Sequence, residues 1–155
     1  MYIQRNEQPT EIIQVIHAAF QRYENEPVPS SALQETALSI QEELNQGVLI
    51  FGASEQDTLI AVVKCTIQQA SLYFSRLAVL PSAQGKGVAT QLLYFIEQFA
   101  IAQQLSYITC KVRQSEQKNI CYYQKLGYRI ILEETIVSTM GSRIPIVTME
   151  KILKV

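Results

Sequence analysis

The 155-residue sequence has no tryptophan, one histidine and three cysteines, and each scarcity excludes something. His17 is the lone histidine, and the cysteines are scattered at positions 65, 110 and 121. That lacks the clustered ligand spacing of a zinc site, so no metal is expected. An odd cysteine count without a C-x-x-C pair fits reduced thiols rather than a disulfide framework. No run of lysine and arginine exists to follow a nucleic-acid backbone, and the formal net charge is only −1, so neither DNA nor RNA is an expected partner. No apolar stretch reaches the ~18 residues that a membrane span requires. Met1 to Thr10 lacks the apolar core of a secretory signal, which leaves the cytoplasm as the expected location. Low-complexity tracts are missing as well. With 48% hydrophobic and 17% charged residues, the composition is that of a folded domain. The length suits a single domain over residues 1–155, which should bury roughly 70% of the surface its unfolded chain exposes.

What is present divides into two kinds of pattern. Tyr2 to Asn6 predicts a short strand. Beyond Pro9, Ile12, Ile16, Ala19, Phe20 and Tyr23 recur at three- and four-residue steps, which predicts an amphipathic helix. Glu24 to Ser30 carries two prolines and reads as a loop. Ser31 with Gln34 forms a candidate capping box for a second helix, striped by Leu33, Ala37, Ile40 and Leu44 and ended by Gly47. From Val48 the character changes. Val48–Ala53, Leu59–Ile67 and Leu72–Leu80 are rich in β-branched and aromatic residues and predict a three-stranded antiparallel meander. Pro81 stops the third strand. After a glycine-bearing turn, Val88, Leu92, Phe95, Ile96 and Phe99 mark a buried helical stripe. Tyr107–Val112 then reads as a strand parallel to Leu72–Leu80, reached by a β–α–β crossover. A short helix over Asn119–Leu126, a left-handed Gly127 and a hairpin of Tyr128–Val137 with Ile144–Leu153 complete the chain.

The chemistry concentrates in Arg76-Leu-Ala-Val-Leu-Pro-Ser-Ala-Gln-Gly-Lys-Gly-Val-Ala-Thr-Gln-Leu-Leu93. An apolar strand ends at a proline, and a glycine turn opens a helix. Helix starts attract anions because their first N–H groups lack partners and the macrodipole adds positive potential. Gly85 and Gly87 allow a phosphate to approach the backbone, and Lys86 adds a charge. Neither a nucleotide P-loop nor a dinucleotide fingerprint is present: Gly87 follows Lys86, and Thr90 stands where the third glycine belongs. The whole segment resembles motif A of the GNAT superfamily of acyltransferases: L-A-V, a proline, then [QR]-x-x-G-x-[GA]. Tyr122-Tyr-Gln-Lys-Leu-Gly-Tyr128 is similar to that family's F-Y-x-K-L-G-F element.

The resemblance implies an α+β GNAT-like fold, with a central mixed sheet and helices on both faces. It implies an N-acetyltransferase that uses acetyl-coenzyme A, without metal, to acetylate a primary amine of a small molecule or protein by direct attack in a ternary complex. Leu77, Ala78 and Val79 would pair with the pantetheine arm, and the Val79 N–H would polarise the thioester carbonyl. Gln84, Gly85, Lys86, Gly87, Val88 and Ala89 would wrap the pyrophosphate, with Thr90 assisting. Tyr123 matches the tyrosine near the thioester sulfur, a general acid in one reading and a packed aromatic in the other, the role assigned to Tyr122. Asn119 either contacts the cofactor or only caps a helix. Some histone-modifying members carry a glutamate four residues before the position of Leu77. Tyr73 stands there, so a water on Tyr73, Ser75 or a carbonyl replaces a dedicated base, or Tyr73 only shapes the pocket. Strand alternation puts Tyr73 on the same side as Ser75 and Leu77.

Glu24 and Glu26 either attract a cationic amine or, in the preferred reading, are solvated carboxylates, and Glu133 and Glu134 carry the same two readings. His17 reads as structural and Cys121 as a small core residue rather than a nucleophile. A homodimer is compatible with this reading. A non-catalytic acyl-coenzyme A sensor or interaction module is the alternative.

Overall fold

The computed structural model describes residues 1–25 and 30–154. In chain order the elements are β1 (Tyr2–Arg5), α1 (Pro9–Phe20), α2 (Ala37–Asn45), β2 (Leu49–Glu55), β3 (Thr58–Gln68), β4 (Ser71–Val79), α3 (Val88–Ala102), β5 (Tyr107–Arg113), α4 (Gln117–Lys125), β6 (Arg129–Val137) and β7 (Arg143–Ile152). Hydrogen bonding orders the seven strands β1-β2-β3-β4-β5-β7-β6 in one mixed sheet. Neighbours β1–β2, β2–β3, β5–β7 and β6–β7 are antiparallel, whereas β4 and β5 are parallel, as expected when a helix (α3) carries the chain between them. This is the mixed-sheet architecture expected from the sequence.

The described chain divides into two compact units, residues 1–66 with 74–98, and residues 67–73 with 99 to the C-terminal end. The first is organised around the buried faces of α1 and α2. Ile12, Ile13, Val15 and Ile16 of α1 and Ile40 of α2 pack with Ala32, Ile50, Leu59, Val62 and Ala78. Each fully buried aliphatic side chain contributes about 1.5–3 kcal/mol of transfer free energy, so this cluster is the unit's main cohesive element. In the second unit, β5, β6 and β7 form a continuous antiparallel set with Ile108, Cys110, Val112, Val147 and Met149 buried.

Two sequence expectations require correction. Ser31–Gln34 is a separate 3-10 turn whose cap is Ser30, whose Oγ accepts the Ala32 N–H at 3.2 Å. Helix α2 starts later, behind a reciprocal box in which Thr36 Oγ1 accepts the Ser39 N–H at 3.1 Å and Ser39 Oγ accepts the Thr36 N–H at 2.9 Å. Thr36 wins because an extended residue must precede the helix, and Thr36 has φ −131° and ψ 168°. Leu33 is therefore outside the α2 stripe. Cys121 is exposed, not a core residue, because it lies on the outward face of α4, while Ile120 and Tyr123 turn inward.

Candidate active site

The segment from Leu77 to Thr90 lies wholly within the first unit. Ala78 is buried in the α1–α2 core, which anchors the strand end, while Leu77 and Val79 are half-buried. The chain leaves β4 at Leu80, whose N–H donates to the Ile60 carbonyl at 2.9 Å. Pro81–Ala83 makes one 3-10 turn, closed by the Ala83 N–H on the Leu80 carbonyl at 2.8 Å. Gln84 then reaches back, and its Nε2 donates to the Val79 carbonyl at 3.0 Å. The Gln84 side chain therefore braces the turn against the strand end.

Gly85 and Gly87 adopt φ of +77° and +79°, the left-handed region that glycine enters without penalty. A Cβ built on either would meet no atom within 4 Å. The glycines are thus required for backbone conformation, and open space lies over them. The Gln91 N–H donates to the Gly87 carbonyl at 3.1 Å, so Gly87 is the residue from which α3 springs. Val88, Ala89 and Thr90 follow as its first turn, and the leading N–H groups of a helix point away from its own carbonyls. Val88 is buried and seats the helix, while Lys86 and Thr90 are exposed. Bare left-handed glycines, a helix start and one lysine suit a diphosphate, so the residues present fit coenzyme A.

Tyr73, Asn119 and Tyr123 belong to the second unit. Tyr73 is half-buried and pairs opposite Thr109, the last of three β4–β5 pairs. Asn119 is not the cap of α4. Glu116 holds that position, and its carbonyl accepts the Asn119 N–H at 3.1 Å. Tyr123 is buried, whereas Tyr122 is only half-buried. The Tyr123 ring lies 5.5 Å from that of Tyr122 and 5.7 Å from that of Tyr128, so both rings of the pair pack at this end of α4. Gly127, at φ +99°, reverses the chain, and the Tyr128 N–H closes onto the Tyr123 carbonyl at 3.0 Å. The Tyr122–Tyr128 motif is thus the end of a helix and its left-handed stop.

Burial pushes the Cys65 and Cys110 thiols up to about 12, which keeps them protonated and unreactive at neutral pH. His17 Nε2 lies 2.8 Å from the Glu35 carbonyl, in keeping with its structural reading. Glu24 accepts from the Gln21 amide, and Glu134 lies 3.9 Å from Lys111. Glu133 is exposed. Glu26 lies outside the described residues.

Sequence reasoning missed one constellation in the first unit. Lys64, 4% exposed, donates to Glu35 and also, at 2.5 Å, to Glu43. Arg76 Nε donates to the other Glu35 oxygen at 2.6 Å, and its Nη2 to Ser31 Oγ at 2.7 Å. Burial would raise the Glu35 carboxyl, but hydrogen bonding and charge from Lys64, then Arg76, outweigh it and hold the group below its ordinary value. The available signal was Lys64 itself, a lone charge within the apolar run Leu59–Ile67.

The acetyltransferase (GNAT) family profile matches residues 13–128 of this chain. A comparison with curated proteins finds no match. Among solved structures, an N-acetyltransferase from Staphylococcus aureus Mu50 superposes with a TM-score of 0.78 at 18% identity, over 99% of this chain and 98% of that one. The ribosomal-protein-S18-alanine N-acetyltransferase of Escherichia coli gives 0.71 at 19% identity, over 99% and 94%. An aminoglycoside 6'-N-acetyltransferase complexed with coenzyme A gives 0.73 at 16% identity, over 100% and 98%. At these identities the likeness is one of fold.

Proposed function

Since the chain belongs to the GNAT family of acetyltransferases, we propose that this acyltransferase moves the acetyl group of acetyl-coenzyme A onto a primary amine of a small molecule or a protein, by direct attack, as one domain spanning residues 1–155. The observation that carries the reading is the turn at Gly85 and Gly87, left-handed at both residues and open above both. Such a turn at a helix start is a receptor for a diphosphate.

Acetyl-coenzyme A supplies an activated acyl group, and this chain's residues supply its binding and positioning. Gln84 to Ala89, with Thr90, hold the diphosphate. Leu77, Ala78 and Val79 present the backbone that aligns the pantetheine arm. The Val79 N–H is the oxyanion donor, a role typically worth about 3–4 kcal/mol. The attacking amine must first lose a proton. For a lysine-like amine of pKa ~10.4 this costs about 4.6 kcal/mol at pH 7. Tyr73, half-buried, is the candidate for holding the water that accepts that proton. Tyr123 returns a proton to the departing sulfur, and Asn119 contributes to the cofactor site. The reaction requires no metal and takes place in the cytoplasm.

Burial of Tyr123 between two tyrosine rings favours a second reading, an acyl-coenzyme A-binding module in which that residue only packs. Thiol release from acetyl-coenzyme A across amines, polyamines, aminoglycosides and peptides separates the two. Turnover with any acceptor supports the enzyme, and tight binding with none supports the module. Tyr123→Phe is expected to lower kcat at least tenfold while coenzyme A affinity stays within about threefold. An unchanged kcat removes Tyr123 from the chemistry.

A homodimer belongs to the same proposal. Strand β6 ends the sheet order and is exposed along its length, with Ile130, Ile131, Leu132, Ile136 and Val137 among the large apolar residues in solvent. Antiparallel pairing of two copies about Ile131 would set Arg129 of each against Glu133 of the other. Sedimentation of the chain at twice its mass is expected, and a monomer at high micromolar concentration would reject the pairing.

A further inference from the structure

Arg76 sits inside β4 with φ +52°, a left-handed conformation that a residue with a Cβ enters at a cost of roughly 1–2 kcal/mol. Non-glycine residues persist there only when their surroundings enforce it. Here the enforcing group is identifiable. Glu35 binds Arg76 Nε through one carboxylate oxygen and Lys64 through the other. Lys64 is itself buried and is shared with Glu43. The Glu35 backbone is fixed at both ends: its N–H donates to the Ala32 carbonyl at 3.3 Å, and its carbonyl pairs with His17. The carboxylate therefore has little freedom to follow Arg76 if the strand relaxes, and it acts as a fixed post.

The bend occupies a telling place. It falls three residues after Tyr73, where β4–β5 pairing ends, and immediately before Leu77, Ala78 and Val79. A change of φ at residue 76 would re-aim every later amide of the strand. We propose that Glu35 is a positioning residue of acetyl transfer, acting through Arg76 to hold the left-handed bend that aims the Leu77–Val79 backbone at the thioester. This inference rests on the acetyltransferase reading given above. The Glu35 carboxylate binds Lys64 and Arg76, not the diphosphate turn, so its loss lowers turnover more than it weakens cofactor affinity.

The test uses substitutions that separate the bend from the charge. Arg76→Ala and Arg76→Gly both delete the side chain, but only glycine takes φ +52° without cost. Arg76→Gly is expected to keep kcat within about threefold of wild type, and Arg76→Ala to lose about tenfold, with KM for acetyl-coenzyme A within about twofold in both. Glu35→Gln is expected to lose about tenfold in kcat, and Glu35→Gln with Arg76→Gly to regain most of it. Equal effects of alanine and glycine at 76, or a double variant no better than Glu35→Gln, overturn the proposal. The amide resonances of the full chain give a readout independent of turnover. In Glu35→Gln those of Leu77, Ala78 and Val79 should shift, while those of Gly85 to Thr90 stay and still respond to coenzyme A. A wild-type chain that releases no thiol counts against the transfer reading alone. Unmoved Leu77–Val79 amides in Glu35→Gln count against Glu35.

Discussion

At the scale of the residue, the two glycines of the turn carry the heaviest demand. Each stands in left-handed space, and a methyl group added to either would find nothing within 4 Å. A substitution there is penalised by backbone conformation and by whatever occupies the space, not by a clash with the protein. Gly87→Ala adds about 1–2 kcal/mol of strain, equivalent to roughly a tenfold loss of affinity if the turn must be held to bind. Gly87→Glu adds a carboxylate where a diphosphate is proposed to rest. Calorimetry with coenzyme A should give about tenfold weaker binding for Gly87→Ala and at least about a hundredfold for Gly87→Glu. Equal affinities for both variants and the wild type would move the anion elsewhere. These glycines were legible in the sequence because glycine at a strand–helix junction has a conformational meaning that few other residues share. Arg76 was not, because a left-handed arginine leaves no compositional trace: its conformation is imposed by Glu35, 41 positions away.

At the scale of the element, helices and strands were legible wherever a periodic apolar face exists. The stripe of α1 followed from period as far as Phe20, with Tyr23 falling in the 3-10 turn beyond it, and β2, β3 and β4 followed from their β-branched and aromatic composition. The start of α2 was not, because two polar pairs compete for it. Ser31 with Gln34 matches the common spacing, yet only Thr36 with Ser39 closes both bonds onto a helix. Glu35 is itself extended, with φ −71° and ψ 152°, so the 3-10 turn ends there and Thr36 is left to cap α2. Thr36→Ala removes the acceptor for the Ser39 N–H and should cost about 1 kcal/mol. For a chain of this size that is a fall of about 2–4 °C in Tm. Thermal unfolding followed by circular dichroism measures it, and an unchanged Tm would mean that the cap is not holding α2. The role of Tyr123 was only half legible for a related reason. Sequence marks a tyrosine pair at the end of α4, but which ring turns inward depends on the helix phase set by Ile120 and on Tyr128 beyond Gly127.

At the scale of the whole molecule, near-neutrality hides a cluster of charge gathered around one buried lysine. Thirteen cationic and 14 anionic side chains nearly cancel, yet Lys64, Glu35, Glu43 and Arg76 are gathered in one cluster that the net charge does not reveal. The groups facing the Glu35 carboxylate are the Lys64 and Arg76 cations, with Glu43 sharing Lys64 and His17 held on the Glu35 backbone. Its carboxyl is depressed in the folded chain relative to an ordinary glutamate near ~4.3. A depressed acid binds fewer protons when folded than when unfolded, so it adds stability above the unfolded value. That contribution is lost as pH falls through the folded value. Glu35→Gln cannot titrate, and it removes the contribution at every pH. The wild type should therefore be the more stable protein at pH 7, and the difference in Tm between the two should narrow steadily as pH falls below about 4. Melting curves from about pH 7 to about pH 3 test this directly. A gap that stays constant across the range would mean that Glu35 stabilises through packing and hydrogen bonds alone, with no part played by its charge.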